Sequence, residues 1–68
     1  MKVREVIRVL TDKGFVLART RGSHRLFEGF VDGRRRLVTV PGKPGDDVPK
    51  GTLSSIRQQS GLPRGLFR

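Results

Sequence analysis

The chain has 68 residues, of which 15 are Lys or Arg and 6 are Asp or Glu, giving a formal net charge of +9 at pH 7. A chain this short buries only about 60% of its unfolded surface, so we expect one domain over residues 1–68 with a small core. A site for a large cofactor is therefore disfavoured, and a shallow surface site is expected. The absence of cysteine excludes disulfides, thiolate metal sites and thiol nucleophiles.

The positive charge predicts salt-sensitive attraction to phosphate backbones or to acidic protein surfaces. A basic protein whose arginines only solvate its surface has the same composition, so the charge alone does not decide between the two. The first ten residues lack a continuous apolar stretch, and no segment approaches the roughly 20 apolar residues of a membrane span. We therefore predict a cytoplasmic protein without a membrane partner.

The first half of the chain predicts one helix followed by two strands. Apolar residues at helical spacing indicate an amphipathic helix that ends at Gly14, with an inner face of Val3, Val6, Ile7 and Leu10. The apolar run over residues 15–20 predicts a strand that leads into a tight turn at Gly22. A second strand is predicted over residues 23–30.

Asp32 and Gly33 indicate a two-residue hairpin loop, because both residue types tolerate the positive φ that such a turn demands. The third strand is predicted over residues 34–40. A bulged turn would pair the strands differently and exchange the faces of Leu37 and Val38, so the register stays open.

The last third of the chain predicts a loop and a short helix. Three prolines and two glycines make residues 41–49 an irregular segment. Thr52 is predicted to cap a helix whose inner face holds Leu53 and Ile56 and which ends at Gly61. Residues 63–68 form a tail that either docks on the core or frays.

These elements predict an α+β domain of two layers. The order is helix, strand, strand, strand, helix, with a three-stranded antiparallel sheet covered on one face by both helices.

His24 is the only histidine of the chain and lies among positive charges in the segment from Arg21 to Arg25. Imidazole is the side chain best suited to proton transfer near neutral pH, which suggests cleavage of RNA without a metal. Arg21 and Arg25 could bind the phosphate, while the Ser23 hydroxyl and the Gly22 amide could donate hydrogen bonds to it. The alternative is a strand histidine that only fills space.

Strand alternation places His24 on the face of Leu26 and Phe30, opposite Arg25 and Phe27. If Leu26 and Phe30 pack inwards, His24 stands at the rim of the buried layer, partly shielded from water. Each of the four phenylalanines is expected in the core, which disfavours an exposed platform for stacking bases.

Further cations are candidates for phosphate binding. Lys43 lies in the loop, and Lys50 begins a helix whose N-terminus attracts anions. Residues 34–36 are three arginines that could clamp a nucleic acid or could protect a strand edge from aggregation. The acidic residues are scattered, so no metal site and no cofactor are predicted.

Several segments together resemble the HicA toxin family, in order and spacing and over nearly the whole chain: Gly22-Ser23-His24-Arg25-Leu26-Phe27, Leu37-Val38-Thr39-Val40-Pro41, Lys50-Gly51-Thr52-Leu53, Ile56 and Gly61-Leu62. The resemblance implies a fold similar to the double-stranded-RNA-binding domain and a ribosome-independent mRNA endonuclease. It also implies that His24 is catalytic and that the partner is a HicB-type antitoxin.

Many members of the family have a second histidine shortly after the Val-Pro that ends the last strand, and here Lys43 takes that place. The resemblance therefore leaves open an enzyme that uses Lys43 to stabilise charge, a slower enzyme, or an inactive one. Two other functions fit the same residues. One is a module that binds duplex RNA without cutting it, and the other is a basic face that mainly docks the antitoxin.

Overall fold

The structure, a computed structural model that describes residues 1–67, confirms the predicted α+β class and the predicted element order. The elements are α1 (Val3–Asp12), β1 (Val16–Arg21), β2 (His24–Val31), β3 (Arg34–Val40), α2 (Lys50–Ser60) and a short 3-10 helix (Arg64–Leu66). The three strands form an antiparallel sheet in the order β1-β2-β3. Apolar side chains of both helices share one core with the covered face of the sheet.

The turn between β2 and β3 is the two-residue loop that the sequence predicted. Asp32 has φ 53° and Gly33 has φ 75°, which is the pair of positive angles found in a type I′ hairpin. Val31 therefore lies opposite Arg34, and the pairing continues without a break to Arg25 opposite Val40. This register settles the question that the sequence left open: Val38 is buried and Leu37 is exposed.

The core side of β2 carries Phe27, which lies opposite Val38. Leu26 and Phe30 therefore point away from the helices; Leu26 is half-buried and Phe30 is 68% exposed. The arrangement with both residues packed inwards, and with His24 at the rim of the buried layer, is not adopted. The expectation that every phenylalanine lies in the core is wrong for Phe30, because the hairpin register selects the other face of the strand.

A β-bulge interrupts β1 at Ala18. Leu17 lies opposite Phe27 and Arg19 lies opposite Leu26, so Ala18 is an extra residue between two consecutive pairs. Because side chains alternate along a strand, one extra residue reverses the faces of all the residues that follow it. The bulge thus lets Phe15 enter the core while Arg19 and Arg21 point to the opposite side of the sheet.

The second helix begins earlier than predicted. Pro49 is the N-cap residue, and its carbonyl accepts a hydrogen bond from the Leu53 amide at 2.9 Å. The predicted cap at Thr52 is wrong, because the chain is already helical from Lys50 and Thr52 lies within the first turn. The predicted end at Gly61 is confirmed.

The predicted tail docks on the core. Phe67 is fully buried, and the Arg57 side chain donates a hydrogen bond from Nη2 to the Phe67 carbonyl at 2.7 Å. Arg68, the last residue of the predicted tail, lies outside the described residues. Within residues 1–67 no helix has the length and apolar character needed to cross a bilayer.

The loop between β3 and α2 is tied to the start of α1. The Val3 amide donates to the Asp46 carbonyl at 2.9 Å, and the Lys2 ammonium contacts the Asp47 carboxylate at 3.0 Å. The hydrogen bond and the charge of Lys2 lower the pKa of Asp47 below its usual value. The loop is therefore an ordered part of the domain.

We expect Gly29→Ala to destabilise the protein, whereas Gly51→Ala should stabilise it. An added Cβ at Gly29 would lie 2.6 Å from the ring of Phe15, whereas at Gly51 it would meet no described atom within 4 Å. Overpacking costs about 1–3 kcal/mol. Alanine gains roughly 0.5–1 kcal/mol over glycine inside a helix. Urea denaturation of both variants measures whether each change lowers or raises the free energy of unfolding. Equal stability of the two variants would contradict this packing.

Phe67→Ala should lower the free energy of unfolding by about 3–5 kcal/mol, because it removes a fully buried aromatic side chain. Arg64→Ala in the same segment is the control and should change it by less than about 0.5 kcal/mol, because Arg64 is exposed. Thermal and urea denaturation compare the two variants. If Phe67→Ala unfolds like the parent chain, the C-terminal segment does not belong to the core.

Candidate functional site

The surface of the sheet opposite the helices, which we call the open face, carries most of the predicted chemistry. Register and alternation assign to it Val16, Arg19, Arg21, His24, Leu26, Glu28, Phe30, Arg35, Leu37 and Thr39. No helix covers this face within residues 1–67, so its side chains are available to a ligand.

One end of the open face forms a groove of about 170 Å³ beside the turn between β1 and β2. We call it the arginine groove, and it is lined by Arg19, Arg21, His24, Arg25, Leu26 and Thr39. None of these lining residues is acidic, so the groove concentrates positive charge around the single imidazole of the chain. A shallow cationic groove of this kind suits a phosphate group.

His24 is the first residue of β2 and its side chain is exposed. It lies directly opposite Arg21 across the strand pair, so the two Cβ atoms are about 5 Å apart. Gly22 and Ser23 form the two-residue turn between these strands. Gly22 has φ 58°, a backbone angle that residues with a side chain rarely adopt. The turn therefore presents the imidazole and the guanidinium side by side to solvent.

Arg25 connects the arginine groove to the loop that follows β3. Its Nη1 donates a hydrogen bond to the Gly42 carbonyl at 2.9 Å, and the residue is half-buried. A guanidinium has five N–H donors, so this single bond leaves others for a ligand. Arg25 thus lines the groove and also fixes the adjoining loop.

Lys43 and Lys50 do not line the arginine groove. Lys43 is exposed and follows Gly42 in the loop, where its amide donates to the Asp46 carboxylate at 3.1 Å. Lys50 is the first residue of α2 and is also exposed, but it belongs to the helical layer. Of the predicted site residues, the structure brings together Arg21, His24 and Arg25, with Gly22 and Ser23 in the adjacent turn.

The three arginines of residues 34–36 do not act on a common surface. Arg35 lies on the open face and pairs with Glu28, whereas Arg36 lies on the covered side and packs against Gly61. Alternation along β3 separates neighbouring side chains in this way. The prediction that these three arginines together clamp a nucleic acid is therefore wrong.

Three further residues line the groove that were not predicted from the sequence as site residues: Arg19, Leu26 and Thr39. Alternation backwards from Arg21 along β1 would have indicated Arg19. Thr39 could not have been found in this way, because its position opposite Leu26 depends on the hairpin register.

The part of the chain that the structure describes contains no cluster of three His, Cys, Asp or Glu side chains that could hold a metal ion. The groups that line the arginine groove and could act chemically are the imidazole, the guanidinium groups and the Thr39 hydroxyl, with the Ser23 hydroxyl and the Gly22 amide in the adjacent turn.

Comparison with known proteins identifies the family. No curated protein sequence matches the chain. A family model does match it, described as the HicA toxin of bacterial toxin-antitoxin systems, and the match covers residues 3–62. This range includes the whole sheet, both long helices and the arginine groove. The chain therefore belongs to the HicA toxin family.

Proposed function

We propose that this protein is a ribosome-independent mRNA endonuclease toxin that cuts RNA without a metal and uses His24 for proton transfer. The observation that carries the proposal is the arginine groove, in which the only imidazole is exposed, lies opposite Arg21 and has three arginines around it. Toxin function is consistent with the family. Cleavage is supported by the chemistry that these side chains can perform.

In the proposed reaction, neutral His24 accepts the proton of a ribose 2′-hydroxyl while the 2′-oxygen bonds to the adjacent phosphorus. The bond from phosphorus to the 5′-oxygen then breaks, and that oxygen takes a proton from water. The products are a 2′,3′-cyclic phosphate and a 5′-hydroxyl. His24 returns its proton to solvent, so that a single imidazole completes the cycle.

The arginines supply the electrostatic part of the proposed mechanism. Negative charge accumulates on the phosphorus centre in the transition state, and fixed cationic donors stabilise it. Arg21 lies next to His24, and Arg25 is held in place by its bond to Gly42. The Ser23 hydroxyl and the Gly22 amide, in the turn beside them, are further donors for the phosphate oxygens.

In this proposal Lys43 does not replace the second histidine that the family resemblance implies for this position. It lies one residue beyond the Gly42 carbonyl that Arg25 binds, but it does not line the groove. We propose that Lys43, like Lys50, attracts the RNA backbone at longer range and does not transfer protons. An enzyme with one imidazole is then slower than one with two.

The proposed partner is a HicB-type antitoxin that covers the arginine groove with acidic or polar side chains. Family membership implies an antitoxin, and the positive groove favours a surface of opposite charge. We place the protein in the cytoplasm, where its proposed mRNA substrate is translated.

The alternative is a module of the same fold that binds RNA without cutting it. Lys43, at the place where the family resemblance implies a second histidine, favours this alternative. Its arginines would then be the functional residues, and the protein would retain RNA intact.

His24→Ala should lower the rate of cleavage of a labelled single-stranded RNA by about 10²- to 10⁴-fold, because it removes the proposed base. Binding of a 2′-O-methylated RNA, which lacks the attacking hydroxyl, should change by less than about twofold, because the arginines remain. Arg64→Ala, an exposed change outside the groove, is the control. Unchanged cleavage by His24→Ala excludes His24 as the base, and intact RNA with the parent chain favours the binding module.

Arg21→Ala should weaken RNA binding and reduce the slope of log K against log salt by about 1, because one phosphate contact is lost. Lys50→Ala, which removes a charge on the helical layer, should change affinity less. Titration of 2′-O-methylated RNA at several salt concentrations measures both. A larger effect at Lys50 than at Arg21 would show that RNA binds the helical layer.

A further inference from the structure

Phe30 is the most exposed of the large apolar side chains in the described part of the chain, at 68%. It belongs to the central strand and lies on the open face, six residues along β2 from His24. At about 3.3 Å per residue, the two positions are roughly 20 Å apart. An extended RNA strand that passes through the arginine groove and follows β2 would reach Phe30 within a few nucleotides.

The surface between the groove and Phe30 does not repel phosphate. Glu28 is its acidic residue, and Arg35, which lies opposite Phe30 on β3, pairs with that carboxylate. Glu28 is flanked across the strands by Val16 and Leu37, both exposed. The path therefore combines exposed apolar side chains with one neutralised ion pair and carries no net negative charge. The aromatic ring lies at one end of it and the cationic groove at the other.

We propose that Phe30 stacks on an unpaired base of an RNA strand whose cleaved phosphate lies in the arginine groove. The proposal rests on the proposed nuclease function and deepens it, because it specifies a single-stranded substrate held at two points. Aromatic side chains on an open antiparallel sheet are a common platform for unstacked bases.

Two properties of duplex RNA make a single strand the better substrate for this surface. A base inside a duplex is already stacked and paired, so Phe30 could contact it only after it is displaced. In addition, the 2′-oxygen of an A-form helix is not aligned opposite the leaving 5′-oxygen, and a flexible linkage reaches that alignment more easily.

The continuity of the aromatic site with the groove favours RNA over a protein ligand. The apolar patch alone would fit a protein partner equally well. However, the patch shares one uncovered face with Arg19, Arg21 and the imidazole, and the chain as a whole carries a charge of +9. A polyanion with aromatic bases matches both halves of this surface.

The first test measures binding of a 2′-O-methylated single strand, so that it does not depend on cleavage. Phe30→Ala should weaken this binding by about 5- to 150-fold, the range expected for loss of one stacked base. Leu17→Ala is the matched control, because Leu17 is an exposed apolar residue, at 52%, on the other side of the sheet. The control should change affinity by less than about twofold.

A second test detects stacking directly. The chain contains no tryptophan, so Phe30→Trp introduces a single indole at the proposed contact. Its fluorescence should be quenched when the single strand binds, and an abasic ribose at one position, a few nucleotides from the cleaved bond, should abolish the quenching. Leu17→Trp, the matched reporter on the other side of the sheet, should show little change.

Equal affinity of Phe30→Ala and the parent chain for the single strand overturns the proposal. So does a duplex that binds as tightly as the single strand and loses affinity equally in Phe30→Ala. Loss of antitoxin binding in Phe30→Ala, with RNA binding unchanged, assigns the patch to a protein partner instead. If the parent chain binds and stacks RNA but does not cut it, the stacking site stands and only the nuclease function fails.

Discussion

The turn at Asp32 and Gly33 determines which residues of the sheet meet the helices and which remain in solvent. Its two positive φ angles join β2 to β3 without a spare residue, so one register is imposed along the entire strand pair. That register puts Phe27 against Val38 in the core. Everything on the opposite parity of β2, including His24 and Phe30, must then face outwards. The position of the candidate functional surface therefore follows from the packing of the core.

The sequence was sufficient to predict the element order, the hairpin and the family, because these depend on local signals such as helical spacing and an Asp-Gly turn. It was not sufficient for facts that depend on pairing. Phe30 is of a residue type that usually lies in the core, and only the strand register shows that it is exposed. Thr52 is a good capping residue, yet the helix starts at Lys50, two residues after Val48, which is buried in the core. For the candidate site, Arg21, His24 and Arg25 were found because they are close in sequence, whereas Thr39 is brought in by tertiary structure.

The net charge of the chain says little about where a polyanion would bind, because its arginines serve different purposes. Arg57 holds the C-terminal segment, and Arg35 neutralises a carboxylate on the open face. Arg36 packs its guanidinium against Gly61. Arg19 and Arg21 lie in the groove with the imidazole. The position of a cation relative to the sheet, more than the number of cations, distinguishes a structural role from a functional one.

The bulge at Ala18 affects how the sequence of this chain aligns with its homologues. Before the bulge, the burial of Phe15 in the core determines which side chains face the helices. After the bulge, the turn at Gly22 determines it. Removing the extra residue would leave the pairs on either side of it intact. A homologue that is one residue shorter here can therefore keep the same groove, and an alignment gap within β1 is no sign that the site has been lost.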